Sequence, residues 1–100
     1  MIRGTTPTHT FTIPFNTSNI QKVKILYCQN DELILRKKTQ DCTLDGNTIS
    51  VRLTQEDTFK FNCKANVHIQ VRILTERGDS LVSKEIVASV GKCLEDEVLA

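Results

Sequence analysis

The chain has 100 residues, 39% hydrophobic and 25% charged, with 13 basic side chains against 12 acidic ones. Those figures give room for one modest core and not two, exclude a disordered chain, which would hold less Ile, Leu, Val and Phe and more net charge, and leave no apolar run near the ~20 residues of a membrane helix. A net charge of +1 supplies no bulk attraction to DNA or to an anionic membrane.

The β-branched residues set the fold class. There are 12 Thr, 9 Ile and 8 Val against 3 Ala. Branched side chains are stiff at χ1 and fit a pleated sheet better than a helix. Trp is absent and aromatics are few, so the core is expected to be aliphatic, with Phe11, Phe15, Tyr27, Phe59 and Phe61 as its large pieces.

Residues 1–7 read as a flexible N-terminal arm. His9–Ile13 alternates, with Phe11 and Ile13 on one face, and Pro14 marks it as an edge strand. Lys22–Cys28 places Val23, Ile25 and Tyr27 inward and Lys22 and Lys24 outward. Gln29-Asn30-Asp31 has turn chemistry, and Glu32–Lys38 returns as the second arm of a hairpin. Asp45-Gly46-Asn47 separates a weak strand, Asp41–Leu44, from a strong one, Thr48–Leu53, in which Ile49, Val51 and Leu53 face in. Thr54 followed by Asp57 is a capping arrangement, so one short helical turn is expected near residues 54–59, dropping Phe59 or Phe61 between the sheets. Val67–Thr75 is the best strand, with Val67, Ile69, Val71 and Ile73 inward. After a loop at Glu76–Asp79, residues 80–90 read as one long strand with Val82, Ile86, Ala88 and Val90 in one register. Lys84 falls in that register and calls for a bulge or a snorkelling side chain. Residues 92–100 form an acidic C-terminal tail. Six to seven strands at spacings of about ten residues predict an all-β, antiparallel immunoglobulin-like sandwich over residues 8–91, with a small open barrel as the alternative.

The candidates for chemistry read mostly as structure. His68 lies on the polar face of its strand and His9 has no partner the sequence names. Cysteines at 28, 42, 63 and 93 show no C-x-x-C and no Cys-His pairing of a zinc site. No secretory leader is evident, so four reduced thiols are expected; in an oxidising setting Cys28–Cys63 or Cys42–Cys63 pairing stays open. The acidic pairs Asp31-Glu32 and Glu56-Asp57 are explained by turn chemistry and helix N-terminal charge, because neighbours on a strand point to opposite faces. No catalytic residue, cofactor or metal is expected, and no membrane.

Two charged features remain. Arg36, Lys37 and Lys38 form a basic cluster which, with Lys22, Lys24, Arg52 and Arg72 outward on other strands, would make a basic sheet face. Nucleic-acid modules add stacking aromatics to such a face, and here the one tyrosine points inward. The first thirty residues contain no acid, whereas Glu95, Asp96 and Glu97 crowd the tail. An acidic tail meeting the basic face of another copy would give head-to-tail self-association.

Four runs carry a resemblance: THTFTIPF (8–15), KVKILYCQN (22–30), DGNTISVRLTQEDTFKF (45–61) and VHIQVRILT (67–75). The sequence resembles small uncharacterised proteins of prophages and conjugative elements in gut Firmicutes. More remotely it is similar, from about residue 8 to 90, to the N-terminal immunoglobulin-like domain of phage baseplate upper proteins. The resemblance implies an assembly module, located in the cytoplasm of a bacterial host or in a virion, and it carries over no catalytic residue. The expectation is therefore a non-enzymatic structural or protein-interaction module of phage or mobile-element origin, working through a protein partner or self-association. The alternative is a nucleic-acid-binding accessory protein. For the interaction module, the expected interaction surface comprises Lys22, Lys24, Arg36, Lys37, Lys38, Glu95, Asp96 and Glu97; the alternative would use the basic sheet face.

Overall fold

A computed structural model describes all 100 residues. The strands are β1 (Thr8–Thr12), β2 (Ile20–Gln29), β3 (Glu32–Lys38), β4 (Cys42–Asp45), β5 (Thr48–Arg52), β6 (Val67–Thr75), β7 (Ser80–Val82) and β8 (Ile86–Ala88), with one short helix, α1 (Gln55–Phe59), between β5 and β6. They form two antiparallel sheets. One has the order β1-β5-β4; the other runs β3-β2-β6, with β7 and β8 both pairing β6. The result is the expected all-β sandwich. No helix is long and apolar enough to cross a membrane.

The predicted alternation decides what the sandwich buries. Val23, Ile25 and Tyr27 of β2, Ile49 and Val51 of β5, and Val67, Ile69, Val71 and Ile73 of β6 all join the core. Leu53 and Phe61 join it from either side of α1, with Ile13, Ile20, Leu35 and Val90 at its margins. Thr54 caps α1: its hydroxyl accepts from the Asp57 amide, and the Asp57 carboxylate accepts from the Thr54 amide. Of the two candidate plugs, Phe61 is the buried one, its ring 5.8 Å from that of Tyr27. Phe59 is half-buried and lies beneath the Arg3 guanidinium.

The final strand departs from expectation. It is interrupted, and the interruption is a bulge. Arg72 opposes Val82, and three residues earlier Ile69 opposes Ile86, four positions on. One extra residue therefore sits between the two halves, as Lys84 required. The Ser83 hydroxyl accepts from the Val71 amide and so satisfies the ladder at the break. The bulge reverses parity: Leu81, opposite buried Ile73, faces inward, and Val82, opposite exposed Arg72, faces out with it. A single inward register would hold Val82 together with Ile86 and Ala88; only the latter two keep it. Counted as one interrupted strand, β7 and β8 bring the total to seven.

The segments read as arm and tail meet each other. Ile2 bridges Gly91, the Arg3 amide donates to the Gly91 carbonyl at 3.1 Å, and the Arg3 guanidinium pairs with Asp96 at 2.7 Å. Gly4 (φ +81°) lies so close to Phe59 that a Cβ would stand 2.7 Å from the ring.

Candidate interaction surfaces

The gap between the two sheets differs on its two sides. On the β3–β4 side it is bridged. Lys37 opposes buried Ile25 on β2, so its side chain points into the sandwich, where Nζ lies 2.7 Å from Asp57 Oδ2. Burial opposes the charge on Asp57, but the Lys37 bond and the Thr54 amide outweigh it and hold the carboxyl below its ordinary range. Lys37 thus leaves the basic cluster in which its neighbours stand. Nearby, His9 Nδ1 and the Tyr27 hydroxyl share a hydrogen bond of 2.7 Å. Burial, with the Cys42 and Asp57 charges beside it, pushes the Tyr27 phenol far above its ordinary value. Burial and the positive amino group of Met1 hold His9 below its own. Each polar group finds a partner, and the cluster ties β1, β2, β3 and α1 together.

On the other side the gap is open. The β1 edge of one sheet and the β7–β8 edge of the other flank a groove of about 430 Å³, lined mainly by apolar side chains: Phe11, Ile13, Phe15, Ile73, Leu81 and Ile86 among them. Leu81 and Ile86 are each at least 40% exposed. The backbone beside the groove is also unpaired. The Ile13 amide donates to Asn47 and the Leu53 amide to Pro7, which makes the odd-numbered residues of β1 the hydrogen-bonded members of its ladder with β5. The N–H and C=O groups of Thr8, Thr10 and Thr12 therefore point out from the sheet edge. Pro14 marks β1 as an edge in the sequence; nothing there signals the groove, which depends on the parity reversal at the β7–β8 bulge.

The remaining expected cations fall into place on the outer face of the five-stranded sheet. Lys24 stands directly between Lys38 on β3 and Arg72 on β6. Arg36, opposite Leu26, and Lys22, opposite Leu74, share that face. None of the five forms an ion pair. Arg52 does not join them, because it belongs to the other sheet, where it donates to Thr6. Glu95, Asp96 and Glu97 lie with the arm and α1, where Asp96 holds Arg3 and the Leu99 amide donates to the Gln55 side chain. His68 is on the outer face as expected, its Nδ1 3.2 Å from Glu85. The four cysteines stand as free thiols.

Comparison with known proteins finds no matching family model, no similar curated protein and no similar solved structure.

Proposed function

We propose that this chain is a non-enzymatic protein-interaction module whose β1 edge accepts an extended strand from a protein partner. One observation carries the reading: the outward backbone groups of Thr8, Thr10 and Thr12 run alongside an apolar groove. The partner segment this fits is extended, with apolar residues at alternate positions. Its backbone would continue the β1-β5-β4 sheet, and every second side chain would enter the groove over Ile73, Leu81 and Ile86. The β7–β8 edge is the poorer template, because its bulge and Lys84 blunt it. In the phage or mobile-element setting that the resemblance implies, such a module would join components during assembly, in the host cytoplasm or in the virion.

Thr10→Pro tests this. It removes an outward N–H and the exposed Thr10–Ser50 hydroxyl contact but leaves every β1–β5 backbone bond in place, a substitution that edge strands tolerate. A display library of random 12-residue peptides is selected on the unaltered chain and rescreened on the variant. The expected result is enrichment of peptides with apolar residues at every second position, bound at least tenfold more weakly by the Thr10→Pro chain. An absence of enriched peptides, or peptides that bind both chains equally, would overturn the reading.

A further inference from the structure

The five cations on the outer face of the larger sheet point to a second binding activity, independent of the groove. We infer that this face binds the phosphate backbone of a nucleic acid, with Lys38, Lys24 and Arg72 as its central row.

Register supplies the first argument. Solvated faces of antiparallel sheets gain from opposite charges in directly opposed positions and lose from like ones. Here three cations stand side by side across β3, β2 and β6, and none has a carboxylate partner. The arrangement costs folding stability that an anion would return. Shape supplies the second. Lys22, Lys24, Arg72 and Ser80 border a depression of about 200 Å³, roomy enough for a small anionic group, floored by the backbone of β2 and β6 and by the Leu74 side chain. An arginine, two amines and a hydroxyl are the donors that phosphate takes. Strands in a sheet lie about 4.8 Å apart, so the central row spans about 10 Å, the length along which one nucleic-acid strand presents about three phosphates.

Composition decides among anionic partners. Every Phe and Tyr side chain lies elsewhere: Tyr27 and Phe61 are buried, Phe11 and Phe15 line the groove, and Phe59 lies under Arg3. A face without Phe, Tyr or Trp lacks interfacial anchors for a membrane and the main stacking platforms for unpaired bases; His68, its one imidazole, is taken up by Glu85 at the far end of β6. What remains is contact with the backbone alone, which is independent of sequence and steeply sensitive to salt. The net charge of +1 does not oppose this, because no carboxylate forms an ion pair with the row; Asp41, beside Lys38, is taken up by the Lys38 backbone amide. The acidic cluster of the tail, Glu95 to Glu97, sits with the arm beside residues 89–91, and that segment adjoins the opposite end of β6 from Arg72.

Fluorescence anisotropy with a labelled 20-base-pair DNA duplex tests the proposal, titrated between about 25 and 200 mM salt. The unaltered chain is expected to bind at the lowest salt and to lose affinity with a log–log slope of about −3, the value for three phosphates. Lys24→Glu places a carboxylate between Lys38 and Arg72, so the variant is expected to be at least as stable as the original while its affinity falls tenfold or more. Arg52→Glu, on the other sheet, is expected to change affinity by less than twofold. Polyglutamate and phosphatidylserine vesicles, offered as competitors at equal charge, should displace the duplex only weakly. The proposal is overturned by no binding at the lowest salt, by binding that Lys24→Glu leaves unchanged, or by competitors as effective as unlabelled duplex.

Discussion

Lys37 reaches from the inner face of β3 to Asp57 at the start of α1, and the 2.7 Å contact joins an edge strand to the helix that plugs the sandwich. Asp57 serves two roles there, since the same carboxylate oxygen accepts from the Thr54 amide at 2.9 Å. Both side chains are at most 15% exposed. Lys37→Met keeps the apolar stem and strips the charge, leaving Asp57 buried without its counterion. The expected loss is about 3 kcal/mol, measured as a lower urea midpoint at unchanged slope. The neighbouring substitution on the outer face, Arg36→Met, is the control and should move the midpoint little, because Arg36 is exposed and unpaired.

Lys37 also marks where reading the sequence stops. Alternation along Glu32–Lys38 puts positions 35 and 37 on one face, and Leu35 is indeed in the core. Three consecutive cations look like a solvated cluster until the partner on α1 is known, and that partner is twenty residues away in sequence. The same limit holds for His9, whose bond to Tyr27 crosses between sheets. What is legible is local: the period-two faces of β2, β5 and β6, the turns at Asn30 and Gly46, and the Thr54–Asp57 box. The interrupted last strand is half-legible. Lys84 at an inward position announces a bulge, but which residues it turns outward depends on the β6 register.

Acid should lower the stability of the fold over two pH ranges. His9 holds its proton less tightly in the fold than its ordinary value of 6.5. Below pH 6.5 the unfolded chain therefore binds a proton that the folded chain refuses, and stability falls as pH drops through that range. Asp57 is held below its ordinary 3.8, so its contribution is present above that value and is lost as pH falls through the lower folded one. On the alkaline side burial raises Cys42 from 9.0 and Tyr27 from 10.0, so the unfolded chain ionises first at each, and Cys42 sets the limit. Stability should be greatest between about pH 7 and 9. Urea midpoints from about pH 3 to 10 check this, and His9→Gln should remove the step that begins near 6.5 while leaving the one near 3.8.

The β2–β3 hairpin turns on two residues with left-handed backbones, Asn30 at φ 50° and Asp31 at φ 63°. Asn and Asp tolerate this region and β-branched residues do not. Asp31→Val should cost about 1–2 kcal/mol. Asp31→Gly produces the Asn-Gly pair that such two-residue turns favour and should leave stability unchanged or slightly raised. Thermal melts of the two variants, which differ only at this exposed position, should separate by several degrees in that order.

Gln29 ends β2 with its side chain turned inward and 3% exposed. Its amide donates to the carbonyls of Asn62 and Ala65, at 2.7 and 2.9 Å, and its carbonyl accepts from the Asn62 amide at 2.8 Å. One side chain thus fixes the loop between α1 and β6, and only a group with donors and an acceptor can do so. Gln29→Leu should cost about 2 kcal/mol through the polar groups left unpaired, and hydrogen exchange at the Asn62 amide should quicken. Gln29→Glu is the sharper variant. At neutral pH it sets a carboxylate against two carbonyl oxygens, so the fold would favour the protonated form and raise its pKa above the unfolded value. Stability would then be fullest at low pH and would decline as pH rises through the folded value. That is the reverse of the acid loss expected for the parent chain. A Gln29→Glu midpoint that falls with acid as the parent's does would show that Gln29 does not hold the loop by its amide.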